Sequence, residues 1–212
     1  LTSCFEPTPH DVWDKYLGIY GEESVFPVAK TEIGNLGTIA SEEILYPEIT
    51  RCLALRGAEV ILHPTSEPGS AELTIKEVCR RARAIENQVF VVAANSASID
   101  DTPIPAYTCS AMSKIVDFNG HVLAEAAQGG EAFNSNAVID IGALRRTRRR
   151  TAMSNVMSRQ PFDIYASTYA RAQYHQPNFL LQDGKVVEPP SRDVFRRRQE
   201  ANIERLVKSG LL

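Results

Sequence analysis

Gly37-Thr38-Ile39-Ala40-Ser41-Glu42-Glu43-Ile44-Leu45-Tyr46-Pro47-Glu48 joins a short apolar strand to the start of a helix, and the reading of this chain turns on that junction. Upstream, Ile33, Leu36, Ile39 and Ala40 are interleaved with Gly34 and Gly37, which predicts a strand over 33–40 whose glycines permit close packing. Downstream, Pro47 suits the first helical turn and Glu48 the positive end of the helix dipole. Leu45, Ile49, Cys52 and Leu53 repeat as a buried stripe, and Gly57 closes the helix.

The alternation continues beyond that helix. Residues 58–62, Ala-Glu-Val-Ile-Leu, read as a second strand that delivers His63-Pro64-Thr65-Ser66-Glu67 at its end. A helix starting at Ser70 as N-cap follows, with Ile75, Val78, Cys79, Ala82 and Ile85 as its apolar face. Residues 89–94, Val-Phe-Val-Val-Ala-Ala, form a continuous apolar run, the mark of a strand covered on both faces. After a polar loop through Asp100, Asp101, Pro103 and Pro105, a hairpin is expected from Ser113 to Glu125 around Asn119-Gly120, and a further strand over 137–141. Strands alternating with helices and ending in a hairpin define an α/β protein with a mixed sheet.

Composition is in keeping with this. The chain has 212 residues, 23 Lys and Arg against 26 Asp and Glu, and 43% hydrophobic residues, values of an ordinary acidic globular domain. With no Gly/Ser- or Pro-rich linker, one domain is expected. No apolar run approaches the roughly 20 residues that span a bilayer, and no stretch resembles a signal peptide. Cys4, Cys52, Cys79 and Cys109 are widely spaced, without a CxxC pair or a Cys/His cluster, so they read as reduced thiols in a cytoplasmic protein without a structural metal. Two arginine-rich stretches, Arg145 to Arg150 and Arg192 to Arg198, lie in an acidic chain without interleaved aromatic residues; they read as solvated helix faces or subunit contacts rather than a nucleic-acid surface.

Ligand sites in α/β sheets gather beyond the C-terminal ends of strands. That rule selects Ser41-Glu42-Glu43, His63 through Glu67, and Asn95-Ser96. Ser41 beside two acids can be a nucleophile with a base, or a turn-capping residue with solvating neighbours. If the strands at 33–40 and 58–62 are parallel neighbours, Ser41 and His63 share one sheet edge, with Glu43 or Glu67 to orient the imidazole; a satisfied loop histidine is the competing reading. Thr65, Ser66, Glu67 and Asn95 are expected to line the same pocket as Ser41.

The stretch quoted at the outset, with Arg51 and Gly57-Ala58-Glu59-Val60-Ile61-Leu62, resembles the central motif of the nitrilase (carbon-nitrogen hydrolase) superfamily. The similarity runs on through Ala82-Arg83-Ala84-Ile85-Glu86-Asn87, residues 91–95, Ser110 and Asp117-Phe118-Asn119-Gly120. The tail around Pro161-Phe162-Asp163 resembles the aliphatic-amidase branch. The resemblance implies an αββα sandwich of nitrilase type and a homo-oligomer, at least a dimer. It further implies hydrolysis of a small non-peptide amide or nitrile by a Glu-Lys-Cys triad, with neither metal nor organic cofactor.

The chain departs from that pattern. Ser41 stands where the cysteine belongs, and the family's Glu and Lys fall in a strand-helix-strand part that would precede Leu1 and match no residue here. The expected organisation is a single domain over 1–212 that lacks this N-terminal part and ends in a helical tail over 192–212. Phe195, Ile203 and Leu206 at helical spacing give that tail a stripe suited to a partner subunit. A thiol ionises readily, whereas an alcohol needs a base during attack. Three readings of Ser41 therefore stand side by side: a serine that acts with a carboxylate's help, an inactive binding or assembly protein on the same fold, or a cysteine replaced to trap a ligand.

Overall fold

A computed structural model of the protein describes residues 7–67, 74–97, 101, 111–126, 134–188 and 191–212. In chain order the helices are α1 (Trp13–Tyr20), α2 (Pro47–Leu55), α3 (Ile75–Asn87), α4 (Ile141–Arg149), α5 (Asp163–Arg171) and α6 (Arg192–Lys208). The strands are β1 (Ala29–Thr31), β2 (Gly34–Thr38), β3 (Val60–Thr65), β4 (Phe90–Asn95), β5 (Lys114–Val116), β6 (Val122–Glu125), β7 (Leu181–Gln182) and β8 (Lys185–Val186). Two compact units result, Phe26–Gln160 and a second made of residues 1–25 and 161–212.

The first unit is built on a six-stranded mixed sheet in the order β1-β2-β3-β4-β5-β6. β2, β3 and β4 run parallel, with Leu36 opposite Val60 and Val60 opposite Phe90. The outer pairs are antiparallel. The mixed α/β class expected from the sequence is therefore present, and the described residues contribute one large sheet to it.

The period of two along each strand divides the side chains between two faces. On one face Val60, Phe90 and Leu144 of α4 form a core joined by Leu36, Leu62, Val92, Phe118, Ile139 and Ile141. On the other, Ile61, His63, Val91 and Ala93 are buried, and α3 packs over β4. Gly37 allows the close packing there: a Cβ would stand 3.2 Å from Ile61 Cδ1, tighter than ordinary contact, and 3.4 Å from Leu53 Cδ1. α2 follows its sequence signals, with Pro47 in its first turn and Ile49 and Leu53 buried.

Four expectations are corrected. The helix expected from Ser70 starts at Ile75, where Thr74 Oγ1 caps it by accepting from Glu77 N at 3.2 Å; Ser70 lies outside the described residues. Its buried face is not the apolar one, because Ile75 is 74% exposed and Val78 and Ile85 are also exposed, while Glu77, Arg80, Arg83, Ala84 and Asn87 are buried. The polar face turns inward because it meets unpaired carbonyls and opposite charges: Arg83 alone donates to the carbonyls of Ile44 and Leu45 at 3.1 and 2.9 Å.

The strand expected over 137–141 does not form. Asp140 Oδ1 accepts from Ala143 N at 2.7 Å and caps α4 at that point, so the run of Ala, Leu and Arg that follows becomes helical. The hairpin is present as β5 and β6, but its turn is wider than a two-residue Asn-Gly turn. Asp117 N donates to His121 O, only Gly120 takes a positive φ (+86°), and Asp117 Oδ1 accepts from the backbone of Asn119 and His121. The polar loop at 100–105 and the thiols of Cys4 and Cys109 lie outside the described residues, Asp101 excepted. Cys52 and Cys79 are free thiols.

The first arginine-rich stretch is partly accounted for within this unit. Arg145 grips Glu59 through two hydrogen bonds of 2.6 and 2.9 Å, and Arg148 donates to the carbonyls of Ala58 and Gln88. In the second unit, Arg198 of α6 pairs with Asp11 at 2.7 Å and lies over the Phe179 ring, which meets Phe195 edge-on. Among the described residues no helix is long and apolar enough to cross a membrane.

Candidate active site

The parallel register of β2, β3 and β4 brings three chain turns to one edge of the sheet. Ile39 N bonds Leu62 O at 3.0 Å, which carries the chain past β2 to Ser41, the first residue of a 3-10 turn over Ser41–Leu45. Ser41 has φ of +46°, a left-handed conformation uncommon for a residue with a side chain. Glu43 supports this turn, since its Oε2 accepts from Ala40 N at 2.8 Å. Its carboxylate is thus directed at the backbone that precedes Ser41.

His63 lies two residues before the end of β3 and is fully buried. Its Nε2 donates to the carbonyl oxygen of Ser41 at 2.9 Å, and its Nδ1 accepts from Arg80 Nε at 3.4 Å. Burial pushes its pKa down to about 4; the bond to Ser41 O acts in the opposite direction, and the charges of Arg80 and Lys76 add to the fall. A neutral imidazole with both nitrogens engaged fixes the Ser41 backbone and does not face the Ser41 hydroxyl.

The Ser41 hydroxyl meets Lys76. Lys76 Nζ lies 3.3 Å from Ser41 Oγ and 3.4 Å from Thr65 Oγ1, so α3, β3 and the Ser41 turn converge on one ammonium group. Behind it stands a buried ion network. Arg80 pairs with Glu67 at 2.6 Å and Glu77 at 3.3 Å, and Lys114 joins Glu77 and Glu125, each at 2.5 Å. Burial raises the Glu77 pKa, but hydrogen bonding to Lys114 and the charges of Lys114 and Arg80 outweigh it and leave the carboxyl below its usual range.

The residues selected from the sequence are thus divided. Ser41 and Thr65 share Lys76, and Thr65 stands opposite Asn95 in the β3–β4 register. Glu67 is buried, bonded to Arg80 and to Thr74 Oγ1, while its backbone N–H donates to Asn95 Oδ1 at 2.8 Å. Asn95 Nδ2 donates to Ala111 O, so this amide ties two loops together. Ser66 is exposed. Lys76, Arg80, Glu77 and Lys114 were not selected, although polar residues at 76–77, 80, 83 and 87 recur at helical spacing and could have signalled an inward polar face. Among the described residues no group of three His, Cys, Asp or Glu side chains is placed to hold a metal ion.

Ser41 is thus a strained polar residue at a strand-to-turn elbow, faced by a cation, at the sheet edge where ligand sites of α/β folds gather. The sequence model of the carbon-nitrogen hydrolase family matches residues 1–149, and the chain belongs to that family. It is 31% identical over 137 residues to the human deaminated glutathione amidase, covering 65% of this chain and 39% of that protein. It is 31% identical over 145 residues to the nitrilase and fragile histidine triad fusion protein NitFhit of Caenorhabditis elegans, covering 68% of this chain and 31% of that protein. Among solved structures, a carbon-nitrogen hydrolase from Helicobacter pylori G27 superposes with a TM-score of 0.55 at 25% identity, over 69% of this chain and 53% of that one. The chain thus spans well under half the length of these curated relatives.

Proposed function

We propose that the protein is an amidase- or nitrilase-type hydrolase that acts on a small non-peptide amide or nitrile at Ser41. The single observation that carries this reading is Ser41 itself, held at positive φ by His63 with its hydroxyl directed at Lys76. Backbone strain of this kind costs on the order of 1–3 kcal/mol and persists where surrounding groups enforce it, as His63 and Glu43 do here. The amidase name of the human relative supports the same class of substrate.

For an amide, Ser41 Oγ bonds to the carbonyl carbon, the C–N bond breaks and the nitrogen leaves with a proton as ammonia or an amine. Water then cleaves the ester, releasing a carboxylic acid and restoring the hydroxyl. Lys76 is placed beside the attacking oxygen, where positive charge stabilises developing negative charge. In this reading the Ser41 proton passes to a neighbouring carboxylate, Glu43 being the candidate beside the turn, and from it to the departing nitrogen. Incubation with propionamide followed by intact-mass and peptide analysis tests the proposal through an ester on Ser41.

A second reading, an inactive binding or assembly protein, is favoured by one observation. The hydrogen bond at Ser41 Oγ comes from a cation, and the nearest imidazole is occupied on both nitrogens. Under that reading propionamide leaves no adduct and yields no ammonia. Both readings include a homo-oligomer; of the stripe expected on α6, Phe195 is buried against Phe179, and Ile203, with Val207 beside it, is the exposed part that supports a partner contact.

A further inference from the structure

We propose that Lys76, with the hydroxyls of Ser41 and Thr65, forms a one-cation anion subsite that holds a small carboxylate directly against Ser41. The inference deepens the hydrolase reading by assigning the place where the product acid rests, yet its geometry does not depend on turnover.

Charge balance is the first support. In the network behind the site, Arg80, Arg81 and Lys114 stand against Glu67, Glu77 and Glu125, so its charges are matched without Lys76. Lys76 has no share in these pairs: among the described residues its ammonium has hydroxyl partners and forms no ion pair. His63 beside it is neutral. The local excess is therefore positive at Lys76, at a partly exposed position where an anion can enter.

Donor geometry is the second. An ammonium has three N–H groups, and two of them point at Ser41 Oγ and Thr65 Oγ1 over the long distances of 3.3 and 3.4 Å. Each hydroxyl that accepts from Lys76 keeps its own hydrogen, and among the described residues neither has another side-chain partner. One N–H and two O–H groups are left to converge on an incoming atom. Both oxygens of an ionised carboxylate accept and carry negative charge, which matches three donors on a cation, whereas an uncharged amide offers one acceptor oxygen and an NH2 that would face donors with a donor. A carboxylate placed there lies against Oγ, where cleavage of a Ser41 ester would release the acid.

Propionate and propionamide, equal in size and different in charge, test the proposal by NMR titration of the full chain. Propionate is expected to bind at least about tenfold more tightly than propionamide. Lys76→Met should remove that preference, and Lys76→Arg, which keeps the charge, should retain part of it. Thr65→Val should weaken propionate more than propionamide. Equal binding of the two probes, or an unchanged preference in Lys76→Met, overturns the subsite. Ammonia release from propionamide is scored separately: its absence with the preference intact rejects hydrolysis and leaves the subsite standing, whereas turnover without the preference does the reverse.

Discussion

His63 Nε2 donates to the carbonyl oxygen of Ser41 at 2.9 Å while Arg80 Nε donates to His63 Nδ1 at 3.4 Å, so a neutral, fully buried imidazole fastens the strained serine to β3. This assigns His63 a positioning role and predicts a particular pH dependence. Its folded pKa of about 4 lies below the unfolded 6.5, so the unfolded chain binds more protons over that interval. The contribution of His63 is complete above pH 6.5 and is lost as pH falls toward 4, amounting to about 3 kcal/mol. His175, also lowered chiefly by burial, acts with the same sign, and the lowered carboxyls of Glu59, Glu77 and Asp117 withdraw their contributions only further down. Urea unfolding between pH 7 and 4.5 should therefore show falling stability. His63→Gln, which keeps an N–H for Ser41 but does not titrate, should flatten the slope.

Arg80 holds two buried carboxylates. Replacing it with Met leaves Glu67 without its 2.6 Å partner in a buried position and should cost about 3–5 kcal/mol, read as a lower urea midpoint. Glu67→Gln added to that variant should recover part of the loss.

The Ser41 backbone carries a cost that glycine would relieve. Ser41→Gly removes the Cβ from a φ of +46° and should raise stability by up to about 1 kcal/mol, whereas Ser41→Ala keeps the same conformation and should not. A calorimetric comparison of the two variants reads this directly. Stability gained through Gly together with loss of the Ser41 adduct would mark a position strained for function.

Sedimentation tests the homo-oligomer. A species heavier than the 23.4 kDa chain is expected at micromolar concentration, and Ile203→Asp on the exposed side of α6 should shift it toward the monomer. Only the 23.4 kDa species throughout would remove this expectation.

The sheet was legible because its signals are local. The apolar Val60-Ile61-Leu62 segment and the continuous apolar run at 89–94 mark β3 and β4, and Pro47 marks the start of α2. α3 was misread because the stripe of Ile75, Val78 and Ile85 resembles a core face by period alone. What reverses the helix is tertiary: Arg80 and Arg83 find partners on β3 and the Ser41 turn that a sequence window does not contain. Lys76 was missed for the same reason. The strand expected at 137–141 failed because Asp140, read as a strand residue, acts as an N-cap. Ser41 itself was found, through its motif, but the positive φ and the bond from His63 became visible only in three dimensions.

The central claim, that Ser41 is the point of attack on a small amide, is tested most directly by ammonia release from propionamide in the wild-type chain and in Ser41→Ala at pH 7.5. The account predicts sustained release by the wild type and none above background in Ser41→Ala. Equal rates in the two proteins, or no release by the wild type, would contradict it.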